Sequence, residues 1–172
     1  MDQFTHRVEK ALHEAQNLAL AGQHSEMRPL HLLSAFSSLD ESLLVEVCDE
    51  LGALSQARER LRDAIAQVPT LGTASNDLRM SSELGRVLAV ARTLAEKAGD
   101  RFVPEEWVLV GLLQDTELRQ LLKPLGITPE LIEATAEKHR QGDKVLEKHD
   151  EEQRLALEKY TIDLTARALE GK

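Results

Sequence analysis

The sequence predicts an all-α fold built from a duplicated four-helix repeat. Three observations carry this prediction: apolar residues recur at spacings of three and four, the helical pattern occurs twice, and no segment alternates apolar and polar residues as a strand does. Aromatic residues make up only 3% of the 172 residues, so the core is expected to consist of Leu, Val and Ala. That composition favours closely packed helices over sheets.

The first helix of each copy shows the duplication most clearly. An apolar stripe occupies residues 8–19, and a matching stripe occupies residues 84–95, which lie 76 positions later. Both stripes carry small residues in the same rows, at Ala15 and at Ala91. One shared stripe can arise by chance, so the assignment depends on the elements that follow.

The turn after each first helix repeats as well. Gly22 and Gly99 follow the two stripes and predict left-handed helix caps, because glycine has no Cβ to oppose that conformation. Pro29 and Pro104 come next and are expected at the first position of a short apolar second helix.

The third and fourth helices complete each copy. The third helices are expected to end at Gly52 and Gly126, and the fourth to begin at Ser55 and at Thr128, two residue types that cap helices. The repeats therefore span residues about 4–68 and about 81–140. Neither copy can bury a helical face alone, so the two are expected to pack around a pseudo-two-fold axis within one domain, residues 1–140.

Three further segments lie outside the repeats. Residues 69–80 are rich in Thr, Gly, Ser, Asn and Asp and are interpreted as an exposed loop. Residues 141–149 are polar and charged, as in a linker. Residues 150–172 show a new helical pattern without an obvious partner in the repeats, as expected for a lead-in to a further domain.

Composition excludes several function classes. The formal net charge of -9 argues against a nucleic-acid partner, since phosphate binding depends on clustered Lys and Arg. The longest apolar run, residues 107–113, is too short to cross a membrane, and the first ten residues lack a signal sequence. Cys48 has no second cysteine to pair with and is expected to be a small core residue. We expect a soluble, cytoplasmic protein.

The sequence carries no catalytic constellation. The six histidines lack metal-ligand spacing, and neither a nucleophile elbow nor a phosphate-binding loop occurs. His31, in the apolar second helix, is expected to be a core residue. Glu105 and Glu106 are a poor acid–base pair, because neighbouring residues on a helix point about 100° apart. Glu106 beside Trp107, the single tryptophan, is instead a candidate binding site for an apolar, basic chain.

Several segments resemble a known family. Residues 29–35 match the second-helix motif of the Clp amino-terminal domain of AAA+ unfoldases, and residues 104–110 are a more divergent copy. The opening at residues 2–5 and the turn at residues 99–102 also fit. Residues 156–168 resemble the segment that leads into the first ATPase module of ClpB-type disaggregases, which favours these over ClpA and ClpC.

The resemblance implies a substrate-recognition module of a homohexameric, ATP-driven disaggregase, which binds unfolded or aggregated polypeptides weakly and helps deliver them to the central pore. It implies no enzyme activity or cofactor for this chain, and ATP and Mg for the parent protein. It also implies cooperation with the DnaK chaperone system through other regions. The family's substrate-contact positions fall on Thr5, Asp100 and Glu106, with Phe102 and Trp107 as apolar neighbours. On this hypothesis the two carboxylates attract Lys and Arg.

Two other functions remain open. An adaptor-docking domain, as in ClpA or ClpC relatives, would recognise a folded delivery protein rather than an unfolded chain. A domain that serves only as a structural cap would bind neither a folded delivery protein nor an unfolded chain. Thr5 also has a simpler interpretation, since it can cap the first helix.

Overall fold

Eight α-helices make up most of the described part of the chain. The structure is a computed structural model and describes residues 3–72, 77–141, 144–146, 148 and 150–151. The helices are α1 His6–Ala21, α2 Pro29–Ser38, α3 Leu43–Glu50, α4 Leu54–Ala66, α5 Ser82–Ala98, α6 Glu105–Leu112, α7 Thr116–Leu122 and α8 Pro129–Arg140. A 3-10 turn, Lys123–Leu125, extends α7.

The duplication predicted from the sequence is confirmed. Helices α1–α4 form one copy and α5–α8 the other, with α2 and α6 at the centre. Helix α2 packs on α1 and α4, as α6 packs on α5 and α8, and α2 and α6 also contact each other. The fully buried side chains include Phe36 of α2 and Leu109 of α6, and Cys48 lies in the same core as predicted.

Short parallel backbone pairings tie the two copies together. Strand β1, Glu26–Met27, pairs with strand β2, Arg79–Met80, so the last two residues of the predicted loop 69–80 are extended. Phe4 forms a matching bridge with Val103. Each pairing joins the residues before a first helix of one copy to the residues before the second helix of the other. This symmetry holds both helix starts close to the contact between the repeats.

One of the two predicted glycine turns differs from expectation. Gly99 has the predicted left-handed conformation, with φ 81°, but Gly22 has φ -83° and the next residue, Gln23, has φ 57°. Gly22 serves another purpose: a Cβ there would lie 2.6 Å from a carbon of the His24 ring. Steric room, not backbone conformation, therefore requires the glycine at this position.

Four predicted helix starts can be compared with the structure, which confirms two of them. Pro29 is the first residue of α2 and Thr128 caps α8, as predicted. Pro104 is one position outside its helix, at the N-cap. Ser55 is not a cap, because α4 begins at Leu54 and no side chain caps it.

The segment after α8 contacts the repeats, although the sequence indicated a linker. The Val145 side chain is fully buried, and its carbonyl oxygen accepts the Arg101 backbone N–H at 2.7 Å. The carbonyl of Lys148 accepts the His6 N–H at 3.1 Å. The helical lead-in predicted for residues 150–172 lies outside the described residues except for its first two. Within the described ranges, no helix is long and apolar enough to span a membrane.

Candidate functional site

A buried cluster of charges lies where α6 begins and α8 ends. Arg140, the last residue of α8, donates from its two terminal nitrogens to Asp100 at 2.9 and 2.6 Å. Its Nε donates to Glu106 at 2.6 Å. All three residues are at least 92% buried. One guanidinium therefore holds two carboxylates, one from the α5–α6 turn and one from α6.

Asp100 has further partners. Its Oδ2 accepts the indole N–H of Trp107 at 2.8 Å, and its Oδ1 accepts the backbone N–H of Val145 at 2.7 Å. The Arg140 guanidinium also lies 5.7 Å from the centre of the Trp107 ring, within range of a cation–π contact. The carboxylate and the half-buried indole are thus held in place by the fold, rather than left open to a ligand.

Glu106 lies in an environment that opposes its charge. Burial raises the pKa of Glu106 to about 7, and the Arg140 guanidinium counteracts this shift. Nearby Glu151 and Asp100 raise it further. The charge state of the cluster consequently changes near neutral pH.

Thr5 and Glu151 form a second part of the site. The Thr5 hydroxyl oxygen caps α1 by accepting the Val8 N–H at 3.5 Å, and the hydroxyl donates to Glu151 Oε2 at 3.2 Å. Glu151 Oε1 accepts the backbone N–H of Glu105 at 2.6 Å. The carboxylate of Glu151 thereby caps the N-terminus of α6, where the helix dipole favours negative charge.

Glu105 joins the two repeats. Its carboxylate accepts the backbone N–H groups of Leu43 and Leu44 at 2.8 and 3.1 Å, so a residue of the second copy caps α3 of the first. Burial raises the pKa of Glu105 to about 8, the Arg7 guanidinium at 3.7 Å opposes this, and Glu151 adds to it. Four buried carboxylates here face two guanidiniums.

A cavity of about 280 Å³ opens beside this cluster, between the two repeats. Apolar side chains of Leu43, Val45 and Ala136 form part of its wall. The charged and polar lining comes from Arg7, Asp40, Glu41, Ser42, Glu46, Asp49, Glu105, Glu106, His139, Arg140 and Glu151. Most of this lining is acidic.

The structure places the five predicted site residues around one end of the bundle but not in one pocket. Asp100, Glu106 and Trp107 are joined through Arg140, and Thr5 is joined to the α6 start through Glu151. Among these five described residues, Glu106 lines the cavity and the other four lie outside its wall. Phe102 is half-buried and has two cations over its ring, Arg101 at 5.6 Å and Lys148 at 5.8 Å.

Sequence reasoning missed Arg7, Arg140 and Glu151. A signal for Arg140 existed, because Ile132, Ala136 and Arg140 follow one another at spacings of four on the buried face of α8. No comparable signal existed for Glu151, since its position depends on the path of the chain after α8.

The equivalent position in the first repeat carries a different cluster. His31 follows Pro29 by two residues, as Glu106 follows Pro104. Its Nδ1 accepts the Arg28 backbone N–H at 2.8 Å, and its Nε2 lies 2.8 Å from Nδ1 of His24. Because Nδ1 is an acceptor, neutral His31 carries its proton on Nε2 and donates it to His24. Burial lowers the pKa of His31 to about 4, and His24 and Arg28 add to the effect.

Neither cluster resembles a metal centre. Across the ranges that the structure describes, no three His, Cys, Asp or Glu side chains are arranged to hold a metal ion. The contacts within the two clusters are hydrogen bonds and charge pairs.

Comparison with known proteins identifies the domain. The Clp repeat (R) N-terminal domain family matches residues 3–125, which is most of the chain and includes both helix starts described above. The chain belongs to this family.

Chaperone proteins also match the chain over its whole length. The chain is 34% identical over 174 residues to the chaperone protein ClpB of Vibrio cholerae, and 34% identical over 177 residues to that of Pseudomonas putida. Both matches cover 100% of this chain and 20% of the relative. The chain thus spans about a fifth of the length of the relatives it matches.

Solved Clp repeat domains have the same fold. The Hsp104 N-terminal domain of Candida albicans superposes with a TM-score of 0.75 at 22% identity, covering 85% of this chain and 97% of that one. The N-domain of ClpV from Vibrio cholerae gives a TM-score of 0.65 at 18% identity, covering 85% and 89%.

Proposed function

We propose that this Clp repeat domain recognises unfolded or aggregated polypeptides and helps deliver them to the pore of an ATP-dependent disaggregase. The observation that carries the proposal is the cavity between the repeats. It has an apolar wall from Leu43, Val45 and Ala136 and an acidic lining that includes Glu106. An apolar surface with a few polar groups at its edge suits weak binding of many unrelated chains.

The proposal extends to the whole protein through the similarity to ClpB chaperones. In that setting the domain is one of six copies on a homohexamer whose ATPase modules use ATP and Mg. The hexamer works in the cytoplasm with the DnaK system, which contacts other regions. Six linked copies raise the effective concentration of weak sites, so each domain needs only modest affinity for a client.

An NMR titration tests this function. We expect reduced, carboxymethylated α-lactalbumin, a permanently unfolded chain, to shift amide resonances around Val45, Glu106 and Ala136. Native α-lactalbumin, the same polypeptide in folded form, is the matched control and should cause no shifts. Equal shifts with both forms, or none with the unfolded form, would contradict the proposal.

A variant then connects binding to the cavity. Val45 lies 8% exposed in its wall, and Val45→Asp places a further charge on the apolar part. We expect this change to weaken unfolded-chain binding about tenfold, since apolar burial drives the contact. Val90→Asp, the same change at a side chain that is 39% exposed and outside the cavity wall, is the control. Both variants must keep the helical circular dichroism spectrum of the parent.

The second candidate, adaptor docking, is favoured by one separate feature. Exposed carboxylates at Asp40, Glu41 and Asp49 surround the cavity mouth, and such a fixed acidic surface suits a folded partner with a basic face. Recovery of one folded partner, together with no shifts from unfolded α-lactalbumin, would favour docking over client recognition.

A further inference from the structure

Three of the residues expected to contact clients, Thr5, Asp100 and Phe102, already contact another part of the same chain. We define the docked segment as the described residues 144–146, 148, 150 and 151. These residues come after α8 in the sequence and contact the starts of α1 and α6. Their contacts involve the same groups that the family resemblance assigns to substrate.

Hydrogen bonds to the Val145 backbone hold the first half of the docked segment. The carbonyl of Val145 accepts the N–H of Arg101 at 2.7 Å, and the N–H of Val145 donates to the side-chain carboxylate of Asp100 at 2.7 Å. The Val145 side chain has no exposed surface. Both backbone groups of Val145 are therefore bound to the domain, and its side chain is buried in it.

Side chains hold the second half. Glu151 accepts the hydroxyl of Thr5 and the backbone N–H of Glu105, and it lies 3.6 Å from Arg7. Lys148 lies 3.4 Å from a carboxylate oxygen of Glu9. A client that bonded to the Thr5 hydroxyl would have to replace Glu151 there, and one that bonded to Asp100 Oδ1 would have to replace Val145.

We propose that the docked segment is an autoinhibitory ligand, which occupies the client-contact residues and is displaced when a client binds. This inference rests on the proposed function. Because the two binding events exclude each other, they are coupled by thermodynamic linkage, and client binding must favour release to the same extent that docking opposes the client. The segment is tethered, so weak contacts suffice to keep it docked.

The energetics of Glu151 suit a contact that can be released. Burial raises the pKa of its carboxyl group, and Arg7 and the hydrogen bonds from Glu105 and Thr5 counteract this. Docking therefore removes a carboxylate from water beside two other buried acids, Glu105 and Glu106. This desolvation offsets much of what the hydrogen bonds contribute.

Displacement of the docked segment would also change how the domain is connected to the rest of the protein. In the ClpB-type resemblance the residues that follow lead into the first ATPase module, so release of Val145 and Glu151 frees the connection between the two. Occupancy of the domain would thus be coupled to its mobility relative to the ring without a change inside the helical bundle.

Hydrogen exchange on the complete 172-residue chain tests displacement. The amides of His6 and Arg101 bond to the docked segment, whereas the amide of Val103 bonds to Gln3 and serves as the control. Saturating carboxymethylated α-lactalbumin should speed exchange at His6 and Arg101 about tenfold and leave Val103 unchanged. Unchanged or slower exchange at His6 and Arg101 in the saturated complex would overturn the proposal.

A double variant tests competition independently. Val145→Ser with Glu151→Ala should bind the unfolded chain roughly tenfold more tightly, because a larger fraction of the domain is free to bind. Glu130→Gln, which removes an exposed carboxylate at the other end of α8, is the charge-matched control. Client binding with equal affinity in parent and double variant would overturn autoinhibition and leave the proposed function standing. No client binding in either would overturn both.

Discussion

The starts of α2 and α6 occupy equivalent places in the two repeats but hold opposite kinds of polar cluster. At α2 the buried residue is His31, which is neutral and hydrogen-bonded to His24 and to the backbone of Arg28. At α6 it is Glu106, which is paired with Arg140. The same backbone arrangement therefore supports a neutral histidine pair at the α2 start and a buried cation with its carboxylates at the α6 start.

The cavities beside the two helix starts are both lined by charged residues, but by different ones. The one beside α2 has a volume of about 400 Å³ and a lining from α2, α4 and α7 that includes Arg28, Gln67 and Asp115. The one beside α6 is lined by the equivalent helices, α6, α8 and α3. Where α5 contributes Glu83 to the first cavity, α1 contributes Arg7 to the second, and Glu151 is a further residue from outside the repeats. The two repeats therefore share the position of a cavity but differ in the charges that line it.

The largest expected effect is at Arg140. Arg140→Met leaves Asp100 and Glu106 buried without their cation, which should lower the free energy of unfolding by about 3–5 kcal/mol. Urea denaturation at pH 7 measures this. Gln67→Met, at the end of α4 in the other copy, is exposed and should change stability by less than about 0.5 kcal/mol.

A triple variant separates charge from packing at Arg140. Asp100→Asn and Glu106→Gln remove the two carboxylates, so adding them to Arg140→Met should recover much of the loss. A triple variant as unstable as Arg140→Met alone would show that the side chain acts mainly by filling space.

The next effect in size is a difference in pH dependence between the two helix starts. The pKa of His31 is lowered to about 4 from 6.5, so the unfolded chain takes up the proton first and stability falls between pH 6.5 and 4 by about 3 kcal/mol. The pKa of Glu106 is raised to about 7 from 4.5, so the folded chain takes up the proton first and stability rises as pH falls from 7 to 4.5. The two trends oppose each other in the parent.

Single variants should expose each trend. His31→Gln is expected to leave a protein that gains stability as pH falls from 7 to 4.5. Glu106→Gln is expected to gain less stability than the parent over the same range, because His31 still opposes folding at low pH while Glu105 keeps its raised pKa. Urea denaturation at several pH values gives both slopes, and His13→Gln, at an exposed histidine, is the control. Parallel slopes in the two variants would contradict the assigned environments.

The fold was predictable in detail because it rests on periodicity. The stripes of α1 and α5 and the cap at Thr128 are local patterns, and local patterns determine helices. The errors at Gly22 and Ser55 have a common physical reason. The need for glycine at position 22 comes from the His24 ring, which lies against it in space, and the start of α4 lies one residue before the predicted one, Ser55. Local sequence patterns do not encode either feature.

The site was predictable only in part. Thr5, Asp100 and Glu106 were expected from the family resemblance, and the structure places them at one end of the bundle. Their partners Arg140 and Glu151 lie far along the chain, and only the folded structure brings them together. A buried carboxylate predicts that a cation lies nearby. The position of the carboxylate in the sequence does not identify which Lys or Arg supplies that cation.

The smallest of these effects concerns how the third helix of each copy is capped. In the second copy α7 is capped by its own Asp115, which accepts the Leu118 N–H at 3.2 Å. In the first copy, α3 is capped by Ser42 and in addition by Glu105 from the other repeat. Glu105→Ala leaves two buried backbone donors without an acceptor and should cost about 2 kcal/mol, whereas Asp115→Ala removes an ordinary cap and should cost about 1 kcal/mol.

Urea denaturation at pH 7 compares these two variants, and Glu105→Gln sharpens the comparison. Glutamine keeps one acceptor oxygen for Leu43 or Leu44 and removes the charge whose burial raises the pKa of Glu105 to about 8. We therefore expect Glu105→Gln to cost less than Glu105→Ala. If Asp115→Ala proved the more damaging change, the contact between repeats through Glu105 would contribute less than a local cap. The second copy would then be stabilised mainly by its own helices, rather than by the charges it shares with the first.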